Sequence, residues 1–321
     1  MSATRTLAAG PVAPATGPGP AARRRSGSRR LEEISKVLFV VPAALAVVAL
    51  FGYPVVKNVT MSFQDYGLKT FFTGKAPFVG LTNYASVVGD AVFSKAVVNT
   101  ALFTLGSIAG QFVIGMLLAL FFHRSFPLSG VVRALFLLPW LLPLIVGSAA
   151  WRAIMEQDSG ILNVTLQDLG VISTPVPWLT SPHVALVAVV LVNIWLGIPF
   201  NLTLLYSGLQ DIPDELYEAG ALDGATGWRA FWEITWPNLR PVVSVVLMLG
   251  VIYTLKVLDI ILGLTQGGPA NATQTIALQS YQRSFVEFKF GEGAALSNIL
   301  IVVSLVFAAV YLRANRRQVD E

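Results

Sequence analysis

The 321-residue chain contains no cysteine, which removes disulfides, thiolate nucleophiles and Cys-based metal sites from consideration. Its two histidines, His123 and His183, stand far apart near the ends of apolar runs and read as loop residues, not metal ligands. Charge is scarce as well. Asp, Glu, Lys and Arg make up 12% of the chain, against about 25% in an average soluble domain, so a large water-facing surface is excluded. There is no G-x-x-x-x-G-K-[ST] sequence, so this chain does not cradle nucleotide phosphates itself. No succession of short strands with alternating polarity is present, which argues against a membrane barrel. No catalytic constellation emerges, and neither a cofactor nor a metal is expected on this chain.

What the sequence does have is apolar length: 55% of its residues are hydrophobic. Six runs, at 37–56, 96–122, 134–151, 184–209, 241–265 and 293–312, carry almost no charge. Each is close to or above the roughly 18–20 residues that cross a bilayer core as a helix. The expectation is an all-α integral membrane protein with six transmembrane helices. The first run is longer than a signal-peptide core and is followed by five more spans, so it is read as an anchor.

Of the 22 Lys and Arg, Lys256 falls inside the fifth run. With six spans, fourteen of the others share the side of both termini and seven lie opposite. Positive residues favour the cytoplasm, which places the termini and the loop between spans four and five inside the cell. The net charge of +4 then reflects topology and anionic headgroups, not nucleic acid. Residues 1–30, including RRRSGSRR, read as a disordered basic cytoplasmic tail, and 316–321 as a short cytoplasmic C-terminal tail, around a transmembrane body at 31–315. Three long outer loops (62–95, 156–182 and 266–292) either cap the bundle or form a polar surface on which another protein docks. The four Asn-x-Ser/Thr sequons, at Asn58, Asn163, Asn201 and Asn271, are read as chance matches.

One polar stretch interrupts this pattern: EAGALDGATGWRAFWEITWPNLRP, residues 218–241. Asp211, Pro213, Asp214 and Glu215 form a helix-start signature, with acids on the positive end of the dipole. Tyr217, Gly220, Ala221 and Gly224 fall at i, i+3, i+4 and i+7, a face small enough for another backbone to come close. Gly224 and Gly227 end that helix. A second, with Trp228, Phe231, Trp232 and Thr235 on one face, is expected to stop at Pro237. Its aromatic face belongs against the bundle or at the headgroup boundary.

These residues resemble a known family. Glu218-Ala219-Gly220, then Gly224, then Ile234-Thr235-Trp236-Pro237 nine residues on, are similar to the signature loop of permease subunits of bacterial binding-protein-dependent ABC importers, E-A-A, three residues, G, nine residues, I-x-L-P. Gly220 and Trp236 depart from the pattern. FVGLTNYASVV (78–88), LQDIPDELYEAGALDGA (209–225), DIILGLTQGGPANATQT (259–275) and ALQSYQRSF (277–285) resemble carbohydrate permeases, in particular the first permease of maltose, glycerol-3-phosphate and oligosaccharide importers. The resemblance implies that the 209–240 loop carries a coupling helix between spans four and five. Glu218, Ala219, Gly220, Asp223 and Gly224 would seat it in an ATPase subunit. It also implies a heterodimer with a second permease, two ATPase subunits binding ATP and Mg, and an extracytoplasmic substrate-binding protein, with a sugar moved by alternating access.

Candidates for the path itself come from polar residues within the runs. Lys256 and Asp259 each cost roughly 2.5–3.5 kcal/mol in mid-membrane, so they read either as a buried i, i+3 pair or as part of the pathway. Asn193 and Trp195 combine an amide with a ring, which suits a sugar, although helix-packing glue is the commoner use of such residues. Tyr253, Asn99 and Gln111 are further candidates. Two other readings stay open: an ion-coupled secondary carrier using Lys256 and Asp259, and a non-transporting membrane scaffold.

Overall fold

The structure, a computed structural model, describes residues 38, 40–124 and 126–315. The tails expected at 1–30 and 316–321 lie outside the described residues. The chain divides into two units, Met1–Val56 and Lys57–Glu321. The described part of the first is the opening of helix α1 (Val40–Ser62), with a π-helical turn at Val48–Gly52.

Among the described residues of the second unit there is no strand, only an isolated antiparallel bridge between Gln64 and Phe78. Short helices α2 (Leu68–Thr73) and α3 (Thr82–Val88) precede α4 (Ala91–His123). Then come α5 (Ser129–Phe136), α6 (Leu138–Leu141), α7 (Leu144–Ile154) and α8 (Ile161–Asp168). Long α9 (Ala185–Gln210) leads to α10 (Asp214–Leu222) and α11 (Trp228–Leu255), and the chain closes with α12 (Asp259–Leu264), α13 (Ile276–Tyr281) and α14 (Phe290–Asn315).

Five helices, α1, α4, α9, α11 and α14, are long and apolar enough to span a membrane. The third run does not make a sixth continuous one. Its Leu-Leu-Pro-Trp-Leu-Leu-Pro sequence splits into α5, α6 and α7, with Leu142 and Pro143 extended between the last two. Proline lacks the N–H of the helix ladder and pushes the preceding residue out of the α region, so Pro139 and Pro143 break the segment.

The fifth span is also displaced from its sequence boundaries. It runs from Trp228 to Leu255, not from 241 to 265, and Pro237 does not stop it. Residues Phe231–Thr235 form a π-helical turn immediately before Pro237, and such a widened turn accommodates the missing N–H and the ring. The helix ends at Leu255 instead, and the chain resumes as α12 only at Asp259.

Packing is organised by α4 and α9. Gly106, Gly110 and Gly115 of α4 let α9 approach until a Cβ at 110 would sit 2.3 Å from Ile194 Cδ1 and one at 115 would sit 2.6 Å from Asn201 Cβ. Without a hydrophobic drive between helices in lipid, such close contact is how they associate. Two buried clusters result. One holds Phe103, Val189, Val192, Leu196, Ile260 and Ile261; the other holds Met116, Phe122, Leu202, Leu205, Leu239 and Val243. At the end of the molecule bearing the long loops, Arg283 pairs with Asp90, the N-cap of α4, with Glu287 at 2.7 Å and with Glu292 of α14 at 3.4 Å.

Candidate functional site

Two features carry the candidate residues: the α10 knob and a cavity between the two buried clusters. The knob begins with Pro213 at the N-cap and Asp214 and Glu215 in the first turn; Asp211 instead caps the end of α9. Its C-terminus is a Schellman motif: Ala225 N donates to Gly220 O at 2.8 Å and Gly224 N to Ala221 O at 3.1 Å, with Gly224 left-handed at φ 79°. A second left-handed glycine, Gly227 at φ 56°, starts α11. Gly224 ends α10 as the sequence implies, whereas Gly227 serves as the N-cap of α11. A Cβ at 224 would meet nothing within 4 Å, so the requirement there is conformational, not steric. Replacing Gly224 by Ala should therefore cost about 1 kcal/mol at the cap, and Asn, which tolerates this conformation, should cost less. Uptake rates of the three proteins are expected in the order Gly, Asn, Ala; equal rates would remove the cap from the coupling geometry.

Half of the small-residue face turns inward: Tyr217 and Gly220 are partly buried, while Ala221 and Gly224 are exposed. The Tyr217 hydroxyl lies 3.0 Å from Thr235 Oγ1, and a Cβ at Gly220 would sit 2.5 Å from Ile234 Cδ1. Gly220 thus seats α10 on its own chain. Glu218, Ala219, Asp223 and Gly224 are exposed. The outward face is Glu215, Glu218, Ala219 and Leu222, again at i, i+3, i+4 and i+7, and Leu222 is 92% exposed. Leu222 was missed because an apolar residue in a helix is ordinarily assigned to the inner face. Its register with Glu218, opposite Tyr217, was the available signal.

The aromatic face of the first turns of α11 forms a ladder, with Trp228–Phe231, Phe231–Trp232 and Trp232–Trp236 ring centres 5.4, 5.1 and 5.9 Å apart. Tyr217, Ile234 and Trp236 pack against the second buried cluster. The knob is therefore rooted in the bundle, not hung from a loop.

The cavity, of about 350 Å³, brings together Gln111 of α4, Trp140 of α6, Asn193 and Phe200 of α9, and Tyr253 and Thr254 of α11. Its volume falls in the range of about 300–1,000 Å³ typical of small-molecule sites. Along α4, α9 and α11 it lies between the residues of the two clusters. Trp140 meets Phe200 at 6.3 Å and 73°, and Phe200 meets Tyr253 at 6.2 Å and 83°. Gln111 Nε2 donates to the backbone carbonyl of Asn193 at 2.9 Å. The Asn193 Nδ2 group, on a side chain 5% exposed, has no hydrogen-bond partner. A buried amide that donates to nothing carries the full desolvation cost and is available to a ligand acceptor.

The structure thus unites Asn193, Gln111 and Tyr253 but separates Trp195 from them. Residues two apart on a helix face nearly opposite ways. Trp195 packs edge-on to Trp151 at 5.5 Å beside the first cluster. Trp140 and Phe200 supply the rings instead. Phe200 was legible as i+7 from Asn193; Trp140 was hidden by the broken third run. The Lys256–Asp259 pair does not form. The helix ends between them, both are exposed, and Lys256 Nζ lies 4.9 Å from the centre of the Tyr253 ring. Asn99 serves elsewhere, donating to Asn271 O and Gln274 O. No group of three or more acidic or imidazole side chains suited to a metal occurs among the described residues.

At the long-loop end, a second cavity of about 610 Å³ is lined by Arg152, Glu156, Asp158, Trp178 and Thr265. Amide and hydroxyl donation, chiefly from Ser159 N, holds the exposed Glu156 carboxyl below its ordinary pKa.

The pattern of the family described as "Binding-protein-dependent transport system inner membrane component" matches residues 111–319. The chain is 35% identical over 283 residues to the trehalose/maltose transport system permease protein MalF of Thermococcus litoralis, covering 88% of this chain and 94% of that one. It is 34% identical over 285 residues to the sulfoquinovosyl glycerol transport system permease protein SmoG of Agrobacterium fabrum, covering 89% and 91%. A chain of a bacterial ABC transporter involved in alginate import superposes with a TM-score of 0.78 at 21% identity, covering 92% of this chain and 99% of that chain. That last likeness is one of fold.

Proposed function

The chain belongs to the family of inner membrane components of binding-protein-dependent transport systems, and from that premise we propose that it is the subunit through which an ATP-driven importer passes a sugar or sugar derivative into a bacterial cell. Its permease relatives named for trehalose/maltose and sulfoquinovosyl glycerol support the solute class. In this reading both termini are cytoplasmic, and the chain pairs with a second permease. Two ATPase subunits hold ATP and Mg and perform the hydrolysis, so this chain is not itself an enzyme. An extracytoplasmic binding protein docks at the long-loop end, where the 610 Å³ cavity lies.

One observation carries the mechanism. Helix α11 is continuous from Trp228, beside the α10 knob, to Leu255, beyond Gly250, Tyr253 and Thr254 of the cavity wall. Closure of the ATPases on Glu218, Ala219 and Leu222 would push the knob, and Tyr217 and Gly220 pass that displacement to Thr235 and Ile234. A helix is stiff along its axis, so movement at Thr235 reaches Tyr253. The cavity then opens to one side or the other by alternating access. A sugar fits its chemistry: C–H faces stack on Trp140, Phe200 and Tyr253, while hydroxyls bond Asn193 Nδ2, Gln111 and Thr254.

Reconstitution with the partner subunits in vesicles, using maltose and trehalose as probes, tests this. Asn193→Leu and Tyr253→Ala should each lower ATP-driven uptake by about fivefold to tenfold, the weight of one or two solute contacts, with ATP hydrolysis retained. Uptake by this chain alone without ATP would overturn the proposal.

A further inference from the structure

The cavity does not exhaust the unpartnered polar groups of α4. Thr100, Thr104, Ser107 and Gln111 fall at i, i+4, i+7 and i+11, on one face of the helix. Gln111 lines the cavity, and Thr100 Oγ1 accepts from Ile276 N at 3.0 Å while donating to Ala96 O. Between them, the Thr104 and Ser107 hydroxyls have no partner at all, although the residues are only 5% and 0% exposed. A helical Ser or Thr ordinarily bonds back to the carbonyl three or four residues earlier, as Thr100 does. These two do not. In the adjoining cavity Asn193 Nδ2 likewise lacks a partner.

The elements over this face are identifiable. Val257 and Ile260 line the cavity beside Gln111, and one turn beyond Ser107 on α4, Phe103 clusters with Ile260, Ile261 and Leu264 of α12. Residues 257–264 thus share the cavity with Gln111 and the first buried cluster with Phe103, the two α4 residues one turn to either side of Ser107. The segment is joined to α11 through the break after Leu255 and is fastened at its far end by the loop that follows. Lys95 Nζ donates to Ala270 O at 2.7 Å, and Asn99 Nδ2 donates to Asn271 O and Gln274 O at 3.1 and 2.9 Å. That loop holds Gln266, Ala270 and Asn271 at positive φ, a conformation side chains adopt at a cost.

We propose that Thr104 and Ser107 are solute contacts on the leg of the path between the cavity and the long-loop end, covered in this structure by α12 and its following loop and uncovered when that segment swings at residues 256–258. The inference rests on the transport reading above and extends it to residues outside the cavity. Closed, the seam leaves two hydroxyls without partners; open, solute hydroxyls or water supply them. The closed seam is thereby kept from becoming too stable to part.

The absence of native cysteine makes the test clean. Thr104→Cys and Ser107→Cys, each in the full chain assembled with its partner subunits, are probed in membrane vesicles with an impermeant maleimide applied from the long-loop side. Labelling should be slow at rest and about tenfold faster or more during ATP-driven maltose uptake, as a minor open state becomes a major one. In parallel, Thr104→Val and Ser107→Ala should lower uptake several-fold while the thermal midpoint in detergent stays level or rises, because an unpartnered hydroxyl has been removed. A purely structural role would move stability and uptake together. Labelling that is equal at rest and in turnover, or absent in both, or alanine and valine variants with full uptake, would overturn the seam while leaving the transport reading intact. Failure of the unsubstituted assembly to take up solute with ATP would instead remove the reading on which the seam depends.

Discussion

Replacing Glu218 by arginine is expected to stop ATP-driven uptake while leaving the chain inserted and folded. Glu218 is exposed on the outward face of α10 and makes no side-chain contact that holds the bundle together among the described residues, so its loss removes no internal support. Its value lies in what presses against it. A charge reversed at the centre of an interface leaves the opposing group unmatched, and uptake should fall by about thirtyfold or more, the low end of that penalty. Leu222→Asp should act similarly, since a side chain 92% exposed in this chain is the natural apolar anchor of a partner groove. The measurement is uptake together with ATP hydrolysis and the amount of assembled complex. Hydrolysis that persists without uptake identifies uncoupling; loss of the complex identifies docking. Full uptake in both variants would reject α10 as the coupling element. Gly224→Trp acts on the same step by straining the left-handed cap.

A second large effect is expected at Gly115. A Cβ there would sit 2.6 Å from Asn201 Cβ and 3.3 Å from both Asn201 C and Leu202 N. Backbone atoms cannot swing aside as a side-chain tip can, so Gly115→Val must separate α4 from α9 beside the second buried cluster. Overpacking of this kind costs about 1–3 kcal/mol, and more where the backbone has to move. The expected outcome is a thermal midpoint lowered by several degrees in detergent and less protein in the membrane. Gly130→Ala is the control, because a Cβ there meets nothing within 4 Å. An unchanged midpoint for Gly115→Val would mean that the two helices are not held at this distance.

Three of the six apolar runs were readable with nearly correct limits. For α4, α9 and α14 the run is uninterrupted and length alone decides the element. The runs at 134–151 and 241–265 were not, because hydropathy counts residues and is indifferent to where a proline falls on the ladder. Pro139 and Pro143 break one segment, whereas Pro237 is absorbed by a π-helical turn. Pro199 and Pro241 also lie inside long helices, so whether a proline ends a helix is a property of the packed backbone around it.

The candidate site divides in the same way. The order of residues from Pro213 to Gly227 fixed a short capped helix, because the acids, the small residues and the two left-handed glycines act locally. Sequence also fixed that Asn193, Gln111 and Tyr253 were polar or amphipathic groups in an apolar setting that needed partners. Only the tertiary structure decided which of them meet. It turned Gly220 toward Ile234 and Leu222 outward, set Trp195 against Trp151, and brought Trp140 and Phe200 to the cavity. It also ended the helix between Lys256 and Asp259. Local conformational preferences are written into neighbouring residues; which face of one helix opposes which face of another is settled by close packing among all of them at once.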